Sequence, residues 1–301
     1  MTIWKRLTGG GVQRVVYHLA ETADDDRSDY FARVLELALA KTAATDGPAV
    51  AEPIELGYTQ SKVAQALTRR WGRIDVGSFA STAELERRLI PVRIPLMRGL
   101  LGFRLFIVHR AALPLFAEVR TLDDLLRLRP CAGTDWPDVE ILRAAGFDPV
   151  TSWDYEALFR LVRERRCDFF PRGAPEPFQE LPIRQLDHPE LVVEPNLALR
   201  YPLPIYFFVG RHNAALADRI ERGLRLALAD GSFTALFTGY RTHQRMFVEA
   251  GLSRRLVFDI PNPLLPPLTP LDDPTLWLDD IGLRRAEAES RAALGGFAAA
   301  G

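Results

Sequence analysis

Residues 201–237 read YPLPIYFFVGRHNAALADRIERGLRLALADGSFTALF, and the fold turns on this stretch. Its apolar run Leu203–Val209, rich in aromatic and β-branched side chains, predicts a buried strand. Gly210–His212 make a turn, and Asn213 stands where an N-cap residue would start a helix. Leu216, Ile220, Leu224 and Leu228 recur at spacings of four and give that helix one apolar stripe. Asp230–Gly231 stop it, and Phe233, Leu236 and Phe237 begin a second short helical segment. The residues alone predict a strand–helix–helix unit.

The chain around it has 301 residues, enough for two domains. With 48% hydrophobic residues and a net charge of −1, it has ample core material and no global attraction to nucleic acid or anionic lipid. Lys5, Lys41 and Lys62 are the only lysines among 38 basic residues, so arginine is the default cation here. An arginine must therefore earn a role by position. Cys131 and Cys167 fit neither a disulfide scaffold nor a metal site. They read as small buried hydrophobes, with a bridge between adjacent strands left open if the protein is exported. No segment approaches 18 apolar residues. The start, MTIWKRLTGGGVQR, has positive charges but no apolar h-region, so it is not a complete secretory signal.

Upstream, Val15–Leu19 reads as a first strand, followed by a loop containing Asp24–Asp26 and a helix with Phe31, Val34, Leu35, Ala38 and Leu39 on one face. Ser61 is placed to cap a helix carrying Val63, Ala66 and Leu67, and Thr82 to cap AELERRL. Between them Ile74–Phe79 predicts a strand, and Leu101–His109 predicts a long one. From Arg110 a new unit begins, with Thr121 and Asp124 forming a capping box. Short strands at 130–133, 149–151 and 168–171 alternate with helices of about ten residues, the pattern of parallel βαβ units. The Pro-rich text at 261–278 predicts an extended segment, and the Ala/Arg/Glu text after Gly282 a frayed helix or none.

Catalytic signatures are sparse. The chain has no G-x-S-x-G, H-E-x-x-H, Walker loop or G-x-G-x-x-G after a strand, and its five histidines share no metal-ligand spacing. No catalytic residue, metal or cofactor is predicted. Ligand capture is better supported, because ligands of open α/β sheets sit beyond the carboxyl ends of strands, beside helix N-termini. Segments at such positions are His18–Tyr30, Ser78–Thr82 with Arg87 beyond, Gly133–Asp138 and Phe170–Gly173.

The order of residues resembles bacterial extracellular solute-binding proteins of the amino-acid-binding class, over roughly residues 14–260. The resemblance rests on the closing strand and long helix at 203–231 and on IDVGSFASTAELERRLIPVRIPL at 74–96. It looks closest to a divergent branch with the segments RIPLMRGLLGFR, GTDWPDVEIL, DFFPRG and NPLLPPLTPL. The resemblance implies a two-lobed α/β fold of the periplasmic-binding-protein-like type II, each lobe a mostly parallel sheet flanked by helices. Lobe one would comprise 14–107 plus 206–260 and lobe two 110–202, with hinge crossings at 102–109 and 199–205. Residues 261–281 would form an extended tail, and 1–13 and 282–301 would be flexible.

In the family's matching segment an arginine grips a ligand carboxylate. Arg87 stands at that position, with Ser81 and Thr82 at the polar positions beside the ligand. Thr134, Asp135 and Trp136 would contribute from the second lobe, and Tyr30 and Trp136 would supply aromatic walls. One departure stands out: amino-acid binders place an acidic residue after the strand matching Asp168–Pro171, whereas this chain has Arg172. A cation there is either neutralised by Asp135 or Asp168 or awaits an anion. The expectation is a monomeric receptor that closes over a small polar, carboxylate-bearing solute, with Arg87 and Arg172 facing it from opposite lobes. Its partner would be a membrane permease or sensor, with no nucleic acid, and its location periplasmic or extracellular. Two alternatives remain: a dehydratase-like enzyme on the same scaffold, drawing on Glu140, Glu176 or His18, and an intracellular ligand-sensing module.

Overall fold

The computed structural model describes residues 11–18 and 27–298. The aspartates at 24–26 and most of the leader lie outside the described residues. The chain forms two compact units. The first comprises the residues up to Arg98 with Pro204–Tyr240 and Pro266–Trp277. The second comprises Gly99–Leu203, Arg241–Leu265 and the residues from Leu278 onward.

The first unit opens with β1 (Gln13–His18), α1 (Arg27–Lys41) and the short α2 (Ala43–Asp46), leading to β2 (Ala49–Ile54), which pairs in parallel with β1. Helix α1 buries Val34, Leu35, Ala38 and Leu39 of the face its spacing predicts, but Tyr30 is buried there while Phe31 is only half-buried. Next comes α3 (Gln60–Leu67), capped by Thr59 rather than Ser61: the Lys62 N–H donates to Thr59 Oγ1. Ser61 lies inside the helix and cannot hold that position. β3 (Val76–Ala80) pairs in parallel with β1, and α4 (Ala83–Arg88) is capped by Thr82. β4 (Leu89–Val92) accommodates Pro91 because it is an edge strand.

The second unit begins with β5 (Phe103–His109), α5 (Leu113–Ala117) and α6 (Leu122–Leu125), the last preceded by the expected capping box of Thr121 and Asp124. β6 (Cys131–Gly133), α7 (Pro137–Ala144) and β7 (Val150–Ser152) then make a parallel βαβ unit. α8 (Tyr155–Arg163), β8 (Phe169–Gly173), α9 (Pro177–Arg184), β9 (Leu191–Val193) and β10 (Leu197–Arg200) follow. β5 runs antiparallel to β8, β9 and β10, so the whole strand belongs to the second unit. The first passage between units therefore falls at 98–99, before the stretch the sequence suggested. Cys131 and Cys167 are buried free thiols in one apolar cluster with Leu158, Phe159 and Phe170. A parallel bridge between Pro130 and Phe169 makes their strands neighbours.

β11 (Ile205–Gly210) returns to the first unit and lies antiparallel between β3 and β4. α10 (Ala214–Ala229) and α11 (Ser232–Gly239) complete the predicted strand–helix–helix unit, although Asn213 makes no side-chain capping bond. Gly223 permits α10 to close on α1, since a Cβ there would stand 2.0 Å from the Ala38 carbonyl oxygen. α12 (Arg241–Ala250) and β12 (Leu256–Asp259) fall in the second unit, where β12 pairs in parallel with β10. That ladder takes 241–260 away from the first lobe, to which the sequence reading gave it. Residues 260–279 form no helix or strand. The expected flexible end is instead α13 (Asp280–Ala298), which buries Leu283, Ala286 and Glu287. The Glu287 carboxylate accepts from the N–H and hydroxyl of Ser253 and ties the helix down. Both main sheets are mixed: the parallel reading holds for β1, β2 and β3 and for β6 and β7, while β11 and β5 oppose their neighbours. No helix among the described residues is long and apolar enough to cross a membrane.

Candidate functional site

In the first unit the candidate residues follow the carboxyl end of β3. The Ser81 hydroxyl donates to Glu86 Oε1 at 2.8 Å, and Glu86 pairs with Arg93. Thr82 Oγ1 accepts from the Leu85 N–H at 3.2 Å, so it is engaged as the helix cap. Arg87, in the last turn of α4, is exposed, and among the described residues its side chain has no hydrogen-bond or ion-pair partner. Its backbone carbonyl accepts from Arg211, which also donates to the Glu86 carbonyl and closes the helix end. Tyr30 cannot serve as an aromatic wall. It is fully buried, its hydroxyl donates to the Leu96 carbonyl at 2.9 Å, and its ring packs on Phe31, Phe237 and Tyr240. His18 accepts from the Tyr58 N–H at 3.3 Å and stacks on that residue's ring.

In the second unit the sites flank β6 and β8. Thr134 is half-buried and Asp135 exposed; the Thr134 N–H donates to the Ser152 carbonyl. Trp136 folds back over the strand end and stacks on Phe170, with ring centroids 6.0 Å apart. Only glycine at 133 allows this, because a Cβ there would come within 2.5 Å of the indole. Arg172 is buried, and its guanidinium lies 5.0 Å from the centroids of both Trp136 and Phe170. Its partners are neither Asp135 nor Asp168. Nε donates to the Glu180 carboxylate at 3.0 Å, Nη2 donates to Glu180 Oε1 at 2.6 Å, and Nη2 lies 3.1 Å from Glu176. The reason is directional: Arg172 ends β8 beneath α9, whose start brings both glutamates over it, while the Asp168 carboxylate accepts from the Arg129 N–H.

A second buried arginine extends this cluster. Arg104 Nη2 meets Asp138 at 2.7 Å, Nη1 lies 3.8 Å from Glu176, and the Tyr201 hydroxyl donates to Asp138 at 2.5 Å. The Tyr155 hydroxyl donates to Glu180 at 2.6 Å. Burial disfavours both guanidinium charges, but Glu176 and Glu180 for Arg172, and chiefly Asp138 for Arg104, outweigh it and hold both groups above the ordinary arginine range. Burial likewise pushes the Tyr155 and Tyr201 hydroxyls up. Sequence reasoning found Arg172 and Trp136 but assigned no site role to Arg104, Glu180, Tyr155 or Tyr201. Their spacing in the sequence gave no signal, because Arg172 stands on β8 and Glu180 within α9, and the turn between the two elements brings them together.

No protein-family model and no curated protein sequence matches the chain. Solved structures do. The probable amino-acid ABC transporter extracellular-binding protein YtmK from Bacillus subtilis is 12% identical with a TM-score of 0.55, over 76% of this chain and 97% of that one. YckB from Bacillus subtilis is 19% identical with a TM-score of 0.51, over 82% and 96%. An ancestral arginine-binding protein bound to arginine is 14% identical with a TM-score of 0.51, over 76% and 98%. At these identities the likeness is one of fold: the chain has a mixed α/β fold of the type II periplasmic-binding-protein kind, shared with amino-acid-binding proteins.

Proposed function

We propose that this chain is a non-catalytic receptor for a small polar solute bearing a carboxylate, which it presents to a membrane permease or a sensor protein. The observation that carries this reading is Arg87: an exposed guanidinium without a side-chain partner among the described residues, at the position where the resemblance implies a carboxylate grip. A cation left unpaired at the far end of a helix capped by Thr82 is available for a bidentate contact that no internal acid competes for. The extracellular-binding role named for YtmK supports work outside the cytoplasmic membrane. Arg172 is removed from the anion grip, because Glu176 and Glu180 already neutralise it.

A thermal-shift screen over amino acids, organic acids and small peptides tests the reading, since a bound solute stabilises the native state by mass action. At least one carboxylate-bearing compound is expected to raise the unfolding temperature. Arg87→Ala should weaken its binding by about 2 kcal/mol, the scale of a hydrogen bond to a charged group, and Arg87→Lys should restore only part. Stabilisation by none of these compounds would end the receptor reading; unchanged affinity in Arg87→Ala would remove the carboxylate from Arg87.

A further inference from the structure

We propose that the groove between β7 and α8 docks an extended, acidic segment of a partner protein as an added strand. The groove lies wholly within the second unit and is independent of the receptor reading. Its volume is about 280 Å³, with β7 along one side and Ala157, Arg160, Leu161, Glu164 and Arg166 along the other. Among the described residues β7 pairs only with β6, whose other flank is bridged to β8, so β7 is an edge. The Val150 N–H donates to the Pro130 carbonyl at 2.8 Å and the Thr134 N–H to the Ser152 carbonyl at 3.0 Å, so residues 150 and 152 turn their backbone groups toward β6. Alternation turns the N–H and C=O of Thr151 outward, and neither has a partner among the described residues. A strand edge beside a helix-lined groove is an arrangement by which extended peptides bind. Main-chain hydrogen bonds hold the added strand, and the groove selects its side chains.

Charge selects the occupant. Arg160 is paired with Asp154 at 2.6 Å, and Glu164 with Arg163 at 3.4 Å. Arg166 is exposed, and its guanidinium has no partner among the described residues. Backbone holds it at the groove: Arg165 takes the left-handed turn that ends α8, with φ 56°, and the Arg166 N–H donates to the Leu161 carbonyl at 2.8 Å. An acidic side chain on the added strand would meet that cation with a charge-assisted hydrogen bond. A second copy of β7 fits less well, since pairing two such edges sets arginine against arginine. Trp153, directly after β7 and 79% exposed, adds an aromatic surface at the end of the strand.

Calorimetry and amide hydrogen exchange on the full chain test this with blocked seven-residue peptides that alternate threonine with glutamate or with lysine. The glutamate peptide is expected to bind at least ten-fold more tightly than the lysine peptide and to slow exchange of the Thr151 amide. Arg166→Glu should cut binding of the glutamate peptide at least five-fold. Thr151→Pro removes only the outward N–H of an edge strand, so it should leave the fold in place and weaken binding at least five-fold. If that variant fails to fold, Ala157→Phe, which fills the groove from the helix side, should have the same effect. Equal binding of the two peptides overturns the proposal, as does binding that leaves exchange at Thr151 unchanged. Protection of Thr151 without peptide, rising with protein concentration, overturns it in favour of a second copy at the edge. Binding of neither peptide at millimolar concentration also overturns it, and none of these outcomes bears on solute binding.

Discussion

Arg219 in the first unit and Arg172 in the second are both buried, but their surroundings differ in kind. Arg219, on α10, is 2% exposed and donates only to uncharged acceptors: the Thr42 hydroxyl at 3.0 Å, Gln13 Oε1 at 2.8 Å and the carbonyls of Gly47, Leu39 and Asp46. All three of its nitrogens are used, and burial lowers its pKa, with Asp46 acting the other way. Arg172 is held by carboxylates through Nε and Nη2, and its pKa is raised. An arginine with every donor spent on carbonyls splices chain segments, here the start of β1, the end of α1 and the turn before β2. An arginine clamped by acids along one edge ties the start of α9 to the end of β8. Burial alone does not set the direction in which an arginine's pKa moves; the chemistry of its acceptors does.

The largest expected effect comes from breaking the charged clamp. Glu180→Ala leaves Arg172 buried with a single nearby carboxylate and strips the Tyr155 hydroxyl of its acceptor, at a cost of about 3–5 kcal/mol in urea unfolding. Arg219→Met removes the charge together with its hydrogen bonds and strands uncharged carbonyls, at a cost of about 2–3 kcal/mol. If Arg219→Met proves the more damaging of the two, acceptor chemistry is not what distinguishes the two arginines.

What could be read from the sequence was local. The Thr82 cap, the Thr121–Asp124 box and the stripes of α1 and α10 involve residues within a few positions of one another, where spacing and chemistry suffice. Pairing across distance was not legible. Nothing near Ile205 says that β11 runs antiparallel between β3 and β4, and nothing near Leu256 says that β12 pairs with β10. Arg172 was recognisable as an anomaly, but its partners depended on the direction in which α9 leaves β8. Tyr30 was misplaced for a related reason: an aromatic after a loop looks available until a remote carbonyl, that of Leu96, claims its hydroxyl.

A smaller effect probes a third buried ion pair, Glu194 and Arg255, whose side chains approach to 3.7 Å. Burial raises the Glu194 pKa despite the N–H groups of Leu197 and Asn196 that its carboxylate accepts from, and burial pushes Arg255 down to about 10. Folded Glu194 therefore keeps its proton at a pH where the unfolded chain, titrating near the ordinary value of about 4.3, has released it. Stability then falls as pH rises from that ordinary value through the raised one. Glu194→Gln abolishes the titration, so the variant should gain on wild type across that window in parallel thermal melts. A difference independent of pH, or one that shrinks as pH rises, would mean that Arg255 compensates the buried charge fully, as the clamp does for Arg172.

The smallest expected effect sharpens the contrast most. Among the described residues Arg87 has neither kind of acceptor that holds Arg219 and Arg172, and its helix end is secured by Arg211 through backbone carbonyls that any side chain at 87 would leave in place. Arg87→Ala should therefore change the unfolding free energy of the solute-free protein by less than about 0.5 kcal/mol, with a few tenths attributable to the lost cation in the last turn of α4. The same substitution should weaken solute binding, so stability and affinity come apart at this position. Urea unfolding without solute and calorimetry with it give the two numbers on one protein preparation. A loss of stability comparable to that of Arg219→Met would place Arg87 among the structural arginines and leave the first unit without a carboxylate grip.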